Sequence, residues 1–304
     1  MPDNTALSTR MKENYENRSK QYLTRRTPTI IRLDGKAFHT YTKGLSKPFD
    51  EGLIEDMQET TKFLCQNIEG CKMGYTQSDE ITLVLTDYDT FETLAWFDYN
   101  VQKMTSISAS MATAKFNQLR LQRSFNIINR TIDKLNETGL GGKLRTDNLD
   151  VQQTLAYFDS RVFQIPEKEE VVNCLIWRQR DAEKNSISML AQSLYSHKEL
   201  HKKNSSDMQE MCFQKGHNWN DLHFSKKRGS FIVKNTYFNG INKDAKNSKG
   251  NRVFEYFPDT NKYAKFDTVL AEWVDLVNPT IRTKWEVIET PFFGKDRNSI
   301  LDLI

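Results

Sequence analysis

Two aspartates in the first third of the chain stand where chemistry could be done. Asp34 follows the β-branched run Pro28-Thr29-Ile30-Ile31-Arg32-Leu33, and Asp79 sits in Ser78-Asp79-Glu80 between two further strand-like segments. The first run reads as a buried strand entering an Asp34-Gly35 turn. Residues 72–77 and 81–86 read as a hairpin with adjacent carboxylates at its tip. In a strand–helix–strand–strand unit the first and third strands lie side by side, so the two aspartates can approach one another. Converging carboxylates with an open face suit a pair of Mg²⁺ ions, which take oxygen ligands and keep positions for water and phosphate. Two such ions stabilise the attacking and the leaving oxygen of an in-line displacement. The same residues also have plainer roles, Asp-Gly as a turn and Ser-Asp-Glu as a solvated hairpin tip. Glu80 shares a site with Asp79 only if the strand has not begun there, because successive strand residues face opposite sides.

Around Asp34 the segment Gly35-Lys36-Ala37-Phe38-His39 forms a turn whose backbone N–H groups can cradle phosphate oxygens. Lys47, before Pro48, adds a point charge for a triphosphate. There is no Walker-A motif, and His39 reads more readily as a structural residue than as a general base. Further on, residues 197–203 and Lys226-Lys227-Arg228 are basic enough to meet phosphates through Lys198, Lys202, Lys227 and Arg228. Such runs also make ordinary solvated faces. His197 and His201 lack a third ligand, so they carry no metal reading.

The elements that must position these residues follow from periodicity. From Phe49 the pattern turns helical, with Leu53, Met57, Leu64 and Ile68 on one face and Asp50, Glu51 and Glu55 at the start, where the helix dipole favours acids. Gly70 ends that helix. Residues 96–130 form one long helix or two, and 136–150, with three glycines, form a loop or insertion. A strand over 161–165 precedes a helical pattern over 170–194. The order strand, helix, strand, strand, helix, strand predicts an α+β fold. Its core is the ferredoxin-like βαββαβ antiparallel sheet also used by polymerase palms, with helices on one face. Residues 230–234 and 252–257 read as a hairpin. The expected division is a palm-like catalytic domain with a helical RNA-binding part over 1–235, and a C-terminal α/β extension of unknown role over 236–304.

Composition bounds the rest. A chain of 304 residues with 38% hydrophobic and 27% charged residues is globular rather than disordered. A net charge of +3 means that any nucleic-acid surface must come from local clustering. The four cysteines show neither CxxC nor zinc spacing and read as reduced thiols. The polar N-terminus and the lack of a long uncharged apolar run predict a soluble, cytoplasmic protein without a membrane partner.

Three strings carry a resemblance. IIRLDGKAFHTYTKGLSKPFD, MGYTQSDEITLVL and WRQRDAEKNS are similar to the tRNA-histidine guanylyltransferase superfamily, above all to its guanylyltransferase-like branch, over about residues 10–228. The resemblance implies that Asp34, Asp79 and the backbone carbonyl of Gly35 hold two Mg²⁺ ions, with Glu80 a further acid needed for activity. It implies that Lys36, Ala37, Phe38, His39 and Ser78 surround a nucleoside triphosphate that Lys47 also contacts. It further implies a homotetramer and a reaction that extends RNA in the 3′-to-5′ direction. ATP or GTP activates a 5′-monophosphate, and the 3′-hydroxyl of an incoming NTP then attacks it.

One departure bears on the substrate. Trp177-Arg178-Gln179-Arg180-Asp181 is present, but the family's following His-Ile-Asn-Asn-Leu-Tyr-Asn is replaced by Glu183-Lys184-Asn185-Ser186-Ile187-Ser188-Met189, which keeps only the asparagine. Strict reading of the histidine anticodon is therefore not expected. The like-protein branch implies repair of tRNA with an incomplete 5′ end, with Arg178, Asp181, Asn185 and the basic clusters as RNA contacts. The alternatives are single-G addition to tRNA-histidine, a palm-fold nucleotide cyclase, and a non-catalytic RNA-binding sheet, which would require stacking aromatics on the sheet face.

Overall fold

A computed structural model of the protein describes residues 6–137, 154–239, 254–257, 262–267, 272–275 and 280–304. A short helix, α1 (Ala6–Met11), leads through two further helical turns to β1 (Thr29–Gly35), which runs into the four-residue α2 (Phe38–Tyr41). Then come α3 (Glu51–Asn67), β2 (Cys71–Gln77), β3 (Glu80–Leu85), the long α4 (Val101–Glu137), β4 (Phe158–Gln164) and α5 (Lys168–Leu194). Three short helices, α6 (His197–Leu200), α7 (Ser205–Gln214) and α8 (Phe224–Lys227), precede β5 (Ser230–Asn239). The chain closes with β6 (Phe254–Phe257), β7 (Lys262–Asp267), β8 (Glu272–Asp275), β9 (Thr280–Ile288) and α9 (Arg297–Leu301).

Local chemistry sets the boundaries that matter for the site. Asp50 caps α3, its carboxylate accepting from the Leu53 N–H at 2.7 Å. After α3, Gly70 turns the chain with φ +75°, and a side chain there would meet the Thr86 carbonyl at 2.5 Å, so only glycine fits. The 96–130 pattern resolves as one helix, α4, entered from a short helical turn at Trp96–Tyr99.

The strands form a six-stranded sheet in the order β4-β1-β3-β2-β5-β9, and β6, β7 and β8 form a separate three-stranded sheet. β1 pairs antiparallel with both β3 and β4, and β2 with both β3 and β5. The 230–234 segment does not form the expected hairpin with 252–257. β5 pairs with β2, and β6 pairs with β7. Two compact units result, Lys234–Glu286 being the second, and Val287–Ile304 belong to the first. Of the expected 136–150 insertion, everything beyond Glu137 lies outside the described residues. Among the described residues no helix is long and apolar enough to cross a membrane.

Helices cover both faces of the larger sheet, not one as the pattern predicted. The crossover helices α3 and α4 take one face. The Ser108 hydroxyl of α4 meets that of Ser160 on β4 at 2.8 Å, and Phe116 packs edge-on against Phe158. On the other face Ile30, Met73, Tyr75 and Val84 pack against Val171, Val172 and Leu175 of α5, and Phe293 joins them from the C-terminal segment. The reason lies in β3, which is buried along its whole length. A strand without polar alternation needs a layer on each side. Buried Asp56 of α3 locks the crossover layer by accepting from Arg120 at 3.1 Å and from Arg123 at 2.8 Å, both on α4.

Gly74 of β2 sits where α3 comes closest: a Cβ there would lie 2.7 Å from the Cys65 sulfur and 2.8 Å from a Thr61 methyl. Gly74→Ala is expected to destabilise the fold by about 1–3 kcal/mol through overpacking, read as a lower urea midpoint with an unchanged slope.

Candidate active site

The site is built on cross-strand register. Asp34, near the end of β1, lies opposite Glu80 of β3 and Asp159 of β4, while Arg32 lies opposite Thr82 and Arg161. Directly opposed residues share a face, so the sheet end carries an acidic row beside an arginine row on the face that α5 covers. Asp79 reaches the same end from the β2–β3 turn. The Gly35 N–H donates to the Asp79 carbonyl at 3.1 Å and laces the turn to β1. The two expected carboxylates are thus brought together.

Their electrostatics show the proximity. Burial pushes the Asp79 carboxyl above its ordinary value, the charge of Asp34 adds to the rise, and the Ser78 hydroxyl opposes it by donating at 3.0 Å. Two oxygen-rich groups held against their mutual repulsion fit a hard divalent cation, which would relieve that repulsion. With the Gly35 carbonyl they could supply part of a ligand set for a cation such as Mg²⁺, which keeps positions for water and phosphate. Among the described residues no cluster of three or more His, Cys, Asp or Glu side chains is arranged to hold a metal alone. Ala37 at φ 55°, three residues after Asp34, and Ser78 at φ 51°, next to Asp79, are left-handed non-glycine residues. Strain of this kind, of order 1–3 kcal/mol per residue, gathers where the surrounding structure holds a site in shape.

Glu80 already belongs to the strand and turns to α5. It is 8% exposed and takes a two-pronged ion pair from Arg178, Nε to Oε1 at 2.5 Å and Nη2 to Oε2 at 2.7 Å. Burial raises the Glu80 carboxyl and the Arg178 bonds pull it back. Arg178, 7% exposed, also donates to Asp181 at 2.9 Å, and the Asn185 amide reaches the same Asp181 oxygen at 3.4 Å. The expected RNA contacts Arg178 and Asp181 therefore have partners within the chain. Gln179 clamps the C-terminal segment, donating to the Pro291 carbonyl at 2.7 Å and accepting from the Phe293 N–H at 3.1 Å.

The remaining residues fall into three groups. Lys36, Ala37 and His39 are exposed on the turn after β1, with the Lys36 N–H committed to the Tyr157 carbonyl. Phe38 is a core residue, packed against Tyr41, Phe116 and Phe158. Lys47 is exposed before α3. Ser78, Asn185 and Lys227 line one pocket, whose walls include Phe49, Leu53 and Met189. Lys198 and Lys202 are exposed near the end of α5. Arg228 is buried, donating to the Thr290 carbonyl at 2.8 Å and stacking on Phe292, so its guanidinium ties down the C-terminal segment.

One charged residue escaped the sequence reading. Arg32 stands on the same strand face as Asp34, and its Nε is buried and has no hydrogen-bond partner among the described residues. The signal was present: an arginine inside the apolar run Ile30-Ile31-Arg32-Leu33.

Comparison with known proteins agrees with this geometry. Residues 8–166 match the family described as tRNAHis guanylyltransferase. Two solved structures of a bacterial tRNA(His) guanylyltransferase (Thg1)-like protein, in complex with ATP and with GTP, are similar over 98% of this chain and 99% of theirs. Their identities are 38% and 36% and their TM-scores 0.69 and 0.67. The tRNA(His) guanylyltransferase of Saccharomyces cerevisiae is 23% identical over 219 residues, covering 67% of this chain and 81% of its own length. The structural likeness thus runs past residue 228, where the sequence resemblance ended.

The ion pair at the centre of the site yields a test with a definite sign. Arg178→Met leaves Glu80 buried without its cation, so its carboxyl, already raised by burial, rises further. A group raised in the folded state contributes stability below its unfolded value and loses it as pH climbs through the folded one. Arg178→Met is therefore expected to cost about 3–5 kcal/mol near pH 8 and clearly less near pH 4.5. Adding Glu80→Gln should recover much of the loss at pH 8, as measured by denaturant titration.

Proposed function

This chain belongs to the tRNAHis guanylyltransferase family and is a nucleotidyltransferase, and we propose that it extends the 5′ end of incomplete tRNA in the 3′-to-5′ direction by copying the opposite strand. The observation that carries the reading is the convergence of Asp34 and Asp79 at one sheet end, laced by the Gly35–Asp79 backbone bond. ATP and GTP complexes of the bacterial neighbours support nucleoside triphosphates as co-substrates. The 4-1-3-2 order of the first four strands supports a polymerase-palm ancestry for the sheet.

Asp34, Asp79 and the Gly35 carbonyl would hold Mg²⁺, which when bound supplies neutralisation of phosphate charge and polarisation of the attacking oxygen. The N–H groups of Ala37, Phe38 and His39 make no backbone hydrogen bond among the described residues and are available to a triphosphate, with Lys47 and Lys227 adding charge. Arg178 holds Glu80, so the acidic row keeps its place beside Asp79, whose carbonyl is tied to the Gly35 N–H. In the first step an oxygen of the RNA 5′-monophosphate displaces pyrophosphate from ATP or GTP. In the second, the 3′-hydroxyl of an incoming NTP attacks the activated 5′-phosphate and releases the nucleoside monophosphate. Leu121 and Phe125, half exposed on α4, support self-association into the homotetramer.

The choice of repair over single-G addition rests on Glu183, which stands where the family motif has its leading histidine. Burial pushes its carboxyl up and Arg228 and Arg180 pull it down. A carboxylate at that position favours a different RNA contact from the one a histidine makes. The family description itself favours the second reading, addition of one G to tRNA-histidine.

The assay uses a 5′-monophosphorylated tRNA lacking its first nucleotide, with Mg²⁺, ATP and all four NTPs. Addition of the nucleotide complementary to the 3′ strand is expected. Addition of only an unpaired G to full-length tRNA-histidine would establish the second reading instead, and accumulation of a cyclic nucleotide would overturn both. Asp34→Ala and Asp79→Ala should each lower the rate by about a hundred- to a thousandfold, as removal of a transition-state stabilising group does. Relief of carboxylate repulsion should leave the Asp79→Ala melting temperature in EDTA at or above that of the wild type.

A further inference from the structure

The Trp177-Arg178-Gln179-Arg180-Asp181 turn commits Arg178, Gln179 and Asp181 to partners inside the chain, but it leaves Trp177 53% exposed. The indole is nevertheless held. The Arg178 guanidinium carbon lies 4.4 Å from its ring centroid and that of Arg32 lies 5.6 Å away. Both cations belong to the sheet side, since Arg32 stands on β1 and Arg178 is bound to Glu80 on β3. An indole held against two cations is restrained in orientation, and its exposed half is open to solvent.

Position makes this more than an exposed tryptophan. Arg32 shares a strand face with Asp34, two residues on, and Arg178 holds Glu80, directly opposite Asp34, so the two cations that hold the ring are the ones that flank the acidic end of the sheet. Its surroundings are charged, with Arg32 and Arg178 against the ring and Asp181 bound to Arg178, which is unlike the apolar centre of a protein-docking patch. A flat aromatic face among cations at a phosphoryl-transfer site suits one class of ligand, a nucleobase attached to a phosphate. Stacking accepts any base, as an enzyme that fills in different templated nucleotides requires.

Resting on the nucleotidyltransferase reading above, we propose that Trp177 is a stacking platform for the nucleobase at the reacting end, positioned by Arg32 and Arg178. The base comes either from the 5′-terminal nucleotide of the RNA or from a nucleoside triphosphate.

The test uses the full chain with Trp177→Leu, which keeps apolar cover over the arginines but removes the ring, and with Trp177→Phe, which keeps a ring. Binding of a 5′-monophosphorylated hairpin RNA is followed by anisotropy, against the same RNA made abasic at its 5′-terminal position, and KM is measured for ATP and GTP. Trp177→Leu is expected to weaken binding of the intact RNA about 5- to 150-fold, to leave the abasic RNA unaffected, and to be largely rescued by Trp177→Phe. The same loss in KM for ATP or GTP, in place of the RNA, would assign the stacked base to the nucleotide and support the platform equally. Unchanged binding of every ligand would overturn it, and so would an equal loss on intact and abasic RNA, which would mark a structural role. A wild-type protein that discriminates the abasic RNA without extending any tRNA would leave the platform standing and sink the repair reading.

Discussion

The buried pair between Arg178 and Glu80 is the contact on which the arrangement around the site depends. It joins the middle of α5 to the first residue of β3, one residue from Asp79 and directly across the ladder from Asp34. Taking two charges out of water is costly, and such a pair often adds little net stability over apolar residues of the same size. What it adds is geometry. A two-pronged guanidinium–carboxylate contact fixes direction as well as distance, so the helix cannot rotate or slide on the sheet without stranding a buried charge. Asp181 and Asn185, one turn on, extend the same network to the outside of the helix.

With the helix fixed, neighbouring side chains inherit defined places. Gln179 binds both Pro291 and Phe293, and Arg228 binds Thr290, so the C-terminal segment closes over the cluster made by Tyr75, Phe231 and Phe293. Residues far apart in the chain thereby support the turn that carries Asp79: the Tyr75 hydroxyl, on the strand leading to it, donates to the Arg228 carbonyl at 2.6 Å. The hairpin tip itself reaches solvent, with Ser78 exposed and left-handed and the Asp79 carbonyl tied back to Gly35. A stiff base under an exposed tip is what a site needs when part of its ligand set arrives with the substrate.

The charge pattern follows a division of labour across the sheet. One face is apolar and serves the crossover helices. The other is apolar over Ile30, Val84 and Met73, then turns to arginines and finally to carboxylates toward the end of β1. Like charges set side by side across strands are unfavourable on their own. Here they are tolerated because cations of one row and of α5 offset the acids of the next, and because a bound cation and phosphates would complete the balance.

Much of this was legible in the residues. The apolar run before Asp34, the Ser78-Asp79-Glu80 tip, the acidic start of α3 and the helical period of α5 each follow from interactions a few residues long, and the family strings joined the two acidic motifs to one reaction. Other features were not legible because they depend on partners distant in sequence. Glu80 could not be assigned a face until the strand start was known, Arg178 and Arg228 looked like RNA contacts until their carboxylate and carbonyl partners were in place, and Phe38 belonged to a phosphate-binding turn and to the core at once. Sequence by itself determined which elements form and which residue types sit at their ends, because propensity and periodicity act locally. Tertiary structure alone decided which charges are consumed inside the fold and which remain for a ligand, because a charge is neutralised by whatever the packing brings to within hydrogen-bond distance.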